Sequence, residues 1–313
     1  MEHLTSIKLK QIVYFTSIIL FLSGCAAPRS ITQSGKVTPH KQFRFGSNFS
    51  GNISTSVSKT LFDGAQSTAS DLINQDTVRL EETVAKLEKV ALAYSLDPIG
   101  SGYDFYLRYG VLKHFDIGYK FASGVHVFDA MYQFMGSTGT IESVGKKGIC
   151  GSIGVQYSSQ KYDLPLGFNK IQDLLGYTMK RKDILIPLIF SVSFGEEEKF
   201  GNFSWGLAYS HSFIDYGFDP DNIFYDRINS TTPVSLTAIE GKKNYSSIGA
   251  FVNIKAGYKY VYLISSLSVF YQDYGTYNML GGGTANLSGL TIIPTLGIQF
   301  NLQKLPWFKK KSV

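Results

Sequence analysis

The sequence predicts an all-β protein: a closed antiparallel transmembrane β-barrel of about ten strands, with one helix in its first outer loop. The chain of 313 residues is 17% charged and 14% aromatic and contains 31 Gly, so it is less charged and richer in glycine and aromatics than soluble domains. It lacks an internal apolar run of about 18 residues, which excludes a bundle of membrane-spanning helices. Many segments alternate apolar with small polar residues, as strands between lipid and a lumen do.

Composition excludes two further classes. The net charge of +6 is spread thinly apart from a basic cluster at 309–311, so no nucleic-acid partner is expected. The chain is too apolar and aromatic to be disordered. It contains 2 Cys, and if Cys25 carries a lipid, Cys150 has no partner for an intrachain disulfide. A closed, hydrogen-bonded barrel is therefore the expected source of stability.

The N-terminus is predicted to be a secretory signal. Lys8 and Lys10 precede an apolar run at 12–22, which is too short for a spanning helix and is typical of a signal peptide. The run ends in Leu22-Ser23-Gly24-Cys25, which resembles the bacterial lipobox.

This resemblance implies cleavage between Gly24 and Cys25 and attachment of acyl chains, palmitate among them, to Cys25. Ala26 follows, and not the Asp that commonly marks inner-membrane retention, so the resemblance implies the outer membrane of a Gram-negative type cell. The alternative is an ordinary signal peptide cleaved near Ala26 or Ala27. The predicted organisation is a signal peptide at 1–24, a polar tether at 25–41, a barrel at 42–302 and a basic tail at 303–313.

Ten segments pass the period-two test for a strand. In one of them, Ala250, Val252 and Ile254 are expected to face lipid, while Asn253 and Lys255 face the lumen. The connections alternate between short and long, as periplasmic turns and extracellular loops do, except at 123–124 and 136–147. The predicted strands are 43–57, 102–110, 115–123, 125–135, 148–158, 184–194, 202–213, 246–257, 260–272 and 290–301.

Two features do not fit a simple barrel. Pro187 and Pro294 fall inside predicted strands, and a closed barrel has no free edge for them, so bulges are the expected accommodation. Residues 71–92 carry apolar side chains at helical spacing, which predicts a helix in the first outer loop. This helix would cap the barrel, plug its lumen or replace a strand. Residues 89–96 also alternate, so a strand there stays open.

One hairpin resembles a group of uncharacterised outer-membrane barrels. An Arg108-Tyr109-Gly110 turn is followed by Asp116, Ile117 and Gly118, and 129–133 resembles the strand that comes next in that group. Leu112 and His114 depart from the polar turn that the group usually has. The resemblance covers about forty residues, implies barrel architecture and carries no function with it.

The same hairpin contains charges on its lumen-facing side. If Gly110 pairs with His114, Arg108 lies opposite Asp116 and Asp104 lies opposite Lys120, and opposite charges across strands attract. The preferred interpretation is that these charges fill and rigidify a narrow lumen, and the alternative is a selective constriction. Other charges predicted to face the lumen are Arg44, Asp129 and Lys255.

Catalysis has one candidate segment, around His211. The lipid-facing His211 lies near Asp215, and a Ser–His–acid set there would attack a lipid ester. Lipid A deacylase barrels carry His and Ser two apart on one face, whereas here Phe213 follows His211 by two and Ser212 points to the other face. No catalytic residue, metal site or cofactor is therefore predicted.

Three functions remain from the sequence. The first is a non-enzymatic outer-membrane β-barrel lipoprotein of structural, surface-interaction or narrow-channel type. The second is a lipid-modifying hydrolase centred on His211, and the third is a soluble periplasmic β-rich lipoprotein. The expected partners are outer-membrane lipid, the barrel-assembly and lipoprotein-sorting machinery, and a surface ligand that the sequence does not identify.

Overall fold

In a computed structural model of the protein, ten antiparallel strands close into a barrel. The structure describes residues 29–60, 62, 80–140, 143–162, 172–173, 175–219, 224–225, 234–235 and 238–302. Gly24, Cys25, the first part of the predicted helix at 71–79 and the basic tail at 303–313 lie outside these residues.

The barrel strands follow one another around the wall in chain order, and the first pairs with the last. A separate two-stranded hairpin consists of β8 (Phe224–Tyr225) and β9 (Val234–Ser235). The longest helix among the described residues, α1 (Leu80–Leu96), lies between β1 and β2. The ten barrel strands are β1 (Phe43–Ser54), β2 (Gly100–Leu112), β3 (Phe115–Ala122), β4 (Val125–Met135), β5 (Ile149–Tyr162), β6 (Thr178–Phe194), β7 (Gly201–Phe218), β10 (Ile239–Tyr258), β11 (Val261–Asn278) and β12 (Thr284–Leu302).

The connections define two ends of the barrel. The turn end carries 113–114, 136–148, 195–200 and 259–260. The loop end carries 55–99, 123–124, 163–177, 219–238 and 279–283. The predicted alternation of short and long connections holds at most positions, including its exceptions at 123–124 and near 136–147. It is wrong at 273–289, where a long outer loop was expected, because β11 and β12 continue and leave only 279–283 as the connection.

The outer face of the wall is apolar, and the inner face is polar. Val252 and Ile254 are 44% and 49% exposed on the outside, whereas Asn253 and Lys255 are each 1% exposed inside. Phe45 and Phe300 stack on the outer face with ring centroids 5.1 Å apart. The predicted inward and outward positions on this strand are therefore confirmed.

Five strands extend at least five residues further towards the loop end than the sequence predicted. In these extensions the alternation is inverted: Tyr216 and Phe218 of β7 are buried inside, while Asp215 is exposed outside. The sequence pattern of apolar residues on the lipid-facing side therefore stops before these extensions, in which the apolar residues are on the inner side. The added residues are 178–183, 214–218, 239–245, 273–278 and 284–289.

The two prolines interrupt the hydrogen-bonded ladder without shifting it. Between β5 and β6 the pairing passes from Ile153–Leu188 to Gln156–Leu185, on either side of Pro187. Between β1 and β12 it passes from Ser50–Thr295 to Ile53–Ile292, across Pro294. The register is the same on both sides of each gap, so the expectation of bulges was wrong here. Each proline removes one donor locally.

Residues 29–39, here called the plug segment, run through the lumen. Ile31 and Val37 are 0% and 1% exposed and pack among inward-facing side chains of the wall, including Met131 and Phe251. The sequence interpretation of 25–41 as a tether does not fit its described part, because residues 29–39 are enclosed by the barrel. Burial of two apolar side chains and many wall hydrogen bonds hold this polar segment inside.

The helix α1 closes the loop end. Its last residues, including Leu92 and Leu96, are buried against the apolar inner face of the strand extensions. Arg181 Nη1 donates to the carbonyl oxygen of Leu96 over 2.7 Å, which satisfies a free carbonyl at the helix C-terminus. The helix therefore caps the barrel, and residues 89–96 form helix and not strand. None of the helices among the described residues is long and apolar enough to cross a membrane.

Candidate functional site

The β2–β3 hairpin has a different register from the predicted one. Gly110 pairs with Asp116 and Arg108 pairs with Gly118, because the chain turns at Lys113–His114 and the register shifts between Gly110 and Leu112. The predicted pairing of Gly110 with His114 is therefore wrong by two residues. A shift of two keeps every side chain on its face, so the charges still point into the lumen.

Arg108 is the centre of a buried ion cluster. Its Nη2 lies 2.5 Å from Asp116 Oδ1, and its Nη1 lies 2.5 Å from Asp129 Oδ1. Asp116 also accepts a hydrogen bond from the backbone N–H of Thr38 in the plug segment, over 2.7 Å. The cluster thus joins three wall strands to the plug. Arg108 and Asp116 contact each other as diagonal neighbours and not as a directly opposed pair.

Asp104 and Lys120 are linked through the plug segment. Asp104 lies opposite Ala122, and Lys120 lies opposite Tyr106, so this pair is not directly opposed either. Asp104 Oδ2 accepts from Ser30 Oγ over 3.3 Å, and Lys120 Nζ donates to the Ser30 carbonyl oxygen over 3.3 Å. Both predicted lumen charges therefore bind the same residue of the plug.

A second ion cluster, which the sequence reasoning missed, lies at the turn end. Glu198 lies 3.5 Å from Arg44 Nη2 and 3.9 Å from Lys255 Nζ, and Glu197 pairs with Lys36 of the plug segment. Burial opposes ionisation of Glu198, but the charges of Lys255, Arg44 and Lys36 outweigh it and lower the pKa of the carboxyl. The sequence feature that could have revealed this cluster is the acidic run at 196–198, which lies in a turn at the same end of the barrel as the inward-facing Arg44 and Lys255.

The loop-end counterpart is Asp97, which follows α1. Its Oδ1 lies 3.2 Å from Arg29 Nη2 and accepts from Asn52 Nδ2 over 2.8 Å, and its Oδ2 accepts from Tyr274 Oη over 2.9 Å. Burial opposes ionisation, yet the charge of Arg29 and the hydrogen bonds from Thr291 and Asn52 lower the pKa of Asp97. One carboxylate thus joins the start of the plug segment to three wall strands.

Little free space remains beside the middle of the plug segment. One cavity between it and the wall has a volume of about 10 Å³ and is lined by residues such as Thr32, Arg44, Arg108 and Lys255. That is room for about one water molecule. At the turn end an open cavity of about 340 Å³ surrounds Lys36 and Glu197. The lumen charges therefore hold the plug segment inside the barrel, which agrees with the preferred interpretation that they fill and rigidify a narrow lumen and not with the alternative of a selective constriction.

The outer face carries a polar cluster around His211. Its Nδ1 lies 2.9 Å from Ser246 Oγ on the neighbouring strand and 3.4 Å from Tyr209 Oη. Ser246 and Tyr209 are exposed, and His211 is half-buried. Ser246 was not predicted, because it lies directly opposite His211 on β10 and far from it in sequence. Ser212, by contrast, is buried inside, where it hydrogen-bonds Asp183.

Lysine side chains lie above this cluster on the same face. Lys161 is paired with Lys180, Ser159 with Lys182, and Lys180 with Asp215 of β7. An open groove of about 670 Å³ follows these residues. Among the described residues, no group of three or more His, Cys, Asp or Glu side chains is arranged to hold a metal ion.

Comparisons with known proteins return structures only. No protein-family model and no curated protein matches the chain. The attachment invasion locus protein Ail of Yersinia pestis is 7% identical, with a TM-score of 0.31 over 84% of this chain and 99% of that one. Neisserial surface protein A is 10% identical, with a TM-score of 0.31 over 82% and 96%. The outer membrane protein OprG from Pseudomonas aeruginosa is 8% identical, with a TM-score of 0.30 over 86% and 99%.

Proposed function

We propose that the chain is an outer-membrane β-barrel lipoprotein with a structural or surface-interaction role, and that it is not an open channel. The observation that carries this proposal is the plug segment, which fills the lumen and is tied to it by three ion clusters. The apolar outer face supports insertion in a membrane. The long connections at the loop end, together with the α1 cap, offer the surface for a partner. The lipobox-like Leu22–Cys25 motif supports acylation of Cys25.

Membrane insertion is tested by placing a charge on the outer face. Val252→Arg should destabilise the folded barrel by about 2–4 kcal/mol, because Arg near the bilayer midplane loses its hydration. Asn244→Arg is the matched control, since Asn244 is exposed among the polar residues of the loop-end extension and should leave stability unchanged. The measurement is urea unfolding in lipid vesicles. Equal stability of the two variants would favour a soluble β-rich lipoprotein.

A second candidate function is hydrolysis of a lipid ester, and the Ser246–His211 contact of 2.9 Å favours it. Ser246 Oγ would attack the ester carbonyl carbon while His211 takes its proton. The proton then passes to the departing alcohol, and water releases the fatty acid from Ser246. On β6, Ile184 pairs with His211, and Lys182 lies two residues further towards the loop end. Two strand residues span about 7 Å, and at this distance Lys182 would hold a phosphorylated headgroup.

This activity is tested by the mass profile of lipid A from cells with and without the protein. Loss of an acyl chain that depends on both Ser246 and His211 would establish the hydrolase. Ser265→Ala is the matched control, because Ser265 is also exposed on the outer face. An unchanged profile would leave the non-enzymatic barrel. Against the hydrolase, no carboxylate of the described residues hydrogen-bonds His211 to orient it.

A further inference from the structure

The plug segment has a defined direction through the barrel. Arg29, its first residue, is bound to Asp97 and therefore lies at the loop end. Lys36 is bound to Glu197 in the turn 195–200 and therefore lies at the turn end. The chain descends from the loop end to the turn end, reverses at Lys41 with a φ of 62°, and climbs back as β1.

Arg29 lies beside the lowest part of the barrel rim. β3 and β4 end at the two-residue connection 123–124, whereas β6, β7, β10, β11 and β12 continue well beyond that level. A small cavity at this point is lined by Arg29, Ser30, Tyr103 and Ser123. Tyr103 is 47% exposed on the outer face at this rim, and aromatic side chains are enriched where a barrel wall meets lipid headgroups. The start of the plug segment is thus close to the surface of the loop-end leaflet.

Chain geometry limits where Cys25 can be. Cys25 is four positions before Arg29 in the sequence, and four fully extended residue steps span at most about 14 Å. The hydrocarbon core of a bilayer is about 30 Å thick. Cys25 therefore cannot reach the turn-end leaflet from the position of Arg29, by any route.

We infer that acyl chains on Cys25 are inserted in the loop-end leaflet, so that the protein is anchored on the cell-surface side by a segment threaded through its own barrel. This inference rests on the proposed acylation of Cys25 for its lipid and on the position of Arg29 for its side of the membrane. In a Gram-negative type outer membrane, long loops face the outside, and the partner of the anchor is then the outer leaflet.

The experiment labels single cysteines on intact cells with a membrane-impermeant maleimide. Every variant carries Cys150→Ser and keeps Cys25. Pro28→Cys reports the start of the plug segment, Lys242→Cys reports the loop end, and Lys147→Cys reports the turn end, both lysines being exposed. We expect Pro28→Cys to be labelled on intact cells to an extent comparable with Lys242→Cys, while Lys147→Cys reacts only after the outer membrane is permeabilised.

Labelling of Pro28→Cys only after permeabilisation, or not at all, would overturn the inference. Mass spectrometry of the mature N-terminus separates this result from failure of the proposed acylation. An unmodified N-terminus at Ala26 or beyond, with Pro28→Cys labelled on intact cells, would show that Cys25 is not acylated and that the plug segment still starts at the cell surface. An acylated Cys25 with Pro28→Cys protected on intact cells would support the lipoprotein and would contradict its anchoring in the outer leaflet.

Discussion

Arg108 shows at the residue scale how the lumen uses charge. Its guanidinium contacts Asp116 and Asp129, and Asp116 in turn holds the backbone of Thr38. Taking these groups out of water costs free energy that their mutual attraction offsets only when all are present. The cluster therefore specifies where the plug segment sits more than it adds to stability.

Replacing Arg108 alone should be worse than replacing the whole cluster. Arg108→Met leaves two carboxylates buried without a cation and should lower the free energy of unfolding by roughly 3–5 kcal/mol. Adding Asp116→Asn and Asp129→Asn to Arg108→Met should recover part of this loss. The measurement is the temperature at which the folded band disappears in a detergent gel. A triple variant less stable than the single one would contradict this account.

Period-two alternation was sufficient to place Arg44, Arg108, Asp116 and Lys255 inside the barrel, because a strand has only two faces. It was not sufficient to give their partners. The hairpin register depends on the turn at Lys113–His114 and on the register shift after Gly110, and neither leaves a mark in the alternation. Glu198 and Ser246 were missed because they meet their partners across strands that are distant in sequence.

The plug segment is the element that the sequence could not reveal. Its residues are mostly small and polar and have no helix or strand period, so 29–39 is typical of a linker. Its place is decided by the width of the lumen and by the wall charges, which are properties of the closed barrel. The strand extensions were missed for a related reason: their inner face is apolar and packs against α1, so their apolar side chains are not on the lipid-facing side.

At Gly35 the backbone of the plug segment packs closely against the backbone of the wall. A Cβ at this position would lie 2.4 Å from the Cys150 carbonyl oxygen, so the two backbones would have to move apart. Gly35→Val should destabilise the folded barrel by about 1–3 kcal/mol, as overpacking does in cores. Hydrogen exchange should also rise across 29–39.

The control for Gly35→Val is Gly148→Val, because a Cβ on Gly148 would meet nothing within 4 Å. This control should match the unmodified protein in both stability and exchange. If Gly35→Val retained full protection of 29–39, the close packing of the plug segment against β5 would be refuted.

The helix α1 should respond to pH through Glu88. Burial raises the pKa of Glu88 from 4.5 to about 7, although the N–H of Leu280 donates to it over 2.7 Å. Because the folded state binds this proton more tightly than the unfolded state, docking of α1 should weaken as pH rises from 4.5 to about 7. The loss is at most about 3 kcal/mol.

Hydrogen exchange of 85–96 at pH 5 and pH 8, corrected for intrinsic rates, measures this dependence. Glu88→Gln should abolish it, since the amide stays neutral and can still accept from Leu280. Lys89→Gln, at an exposed position of the same helix, should preserve it. A pH dependence that persists in Glu88→Gln would assign the effect to another group.

At the scale of the whole molecule, two separate segments fill the interior of the barrel. The plug segment fills its polar lower lumen, and α1 fills the apolar upper mouth between the strand extensions. The two closures meet at Asp97, which follows α1 and binds Arg29. At the low rim 123–124, the start of the plug segment borders a small cavity lined by Arg29, Ser30 and Ser123.

Removing the plug segment should therefore turn the barrel into a channel. Replacement of residues 29–38 by a Gly/Ser linker of the same length deletes Arg29, Lys36 and both buried apolar side chains, while the wall charges remain. In planar bilayers the intact protein should show no steady conductance, and the replaced variant should show discrete current steps that open a path from the low rim to the turn end. Those steps should favour cations, because the freed carboxylates of Asp97, Asp104 and Glu197 lose their cationic or hydrogen-bonding partners in the plug. Steady conductance of the intact protein would show that the described contacts do not seal the lumen.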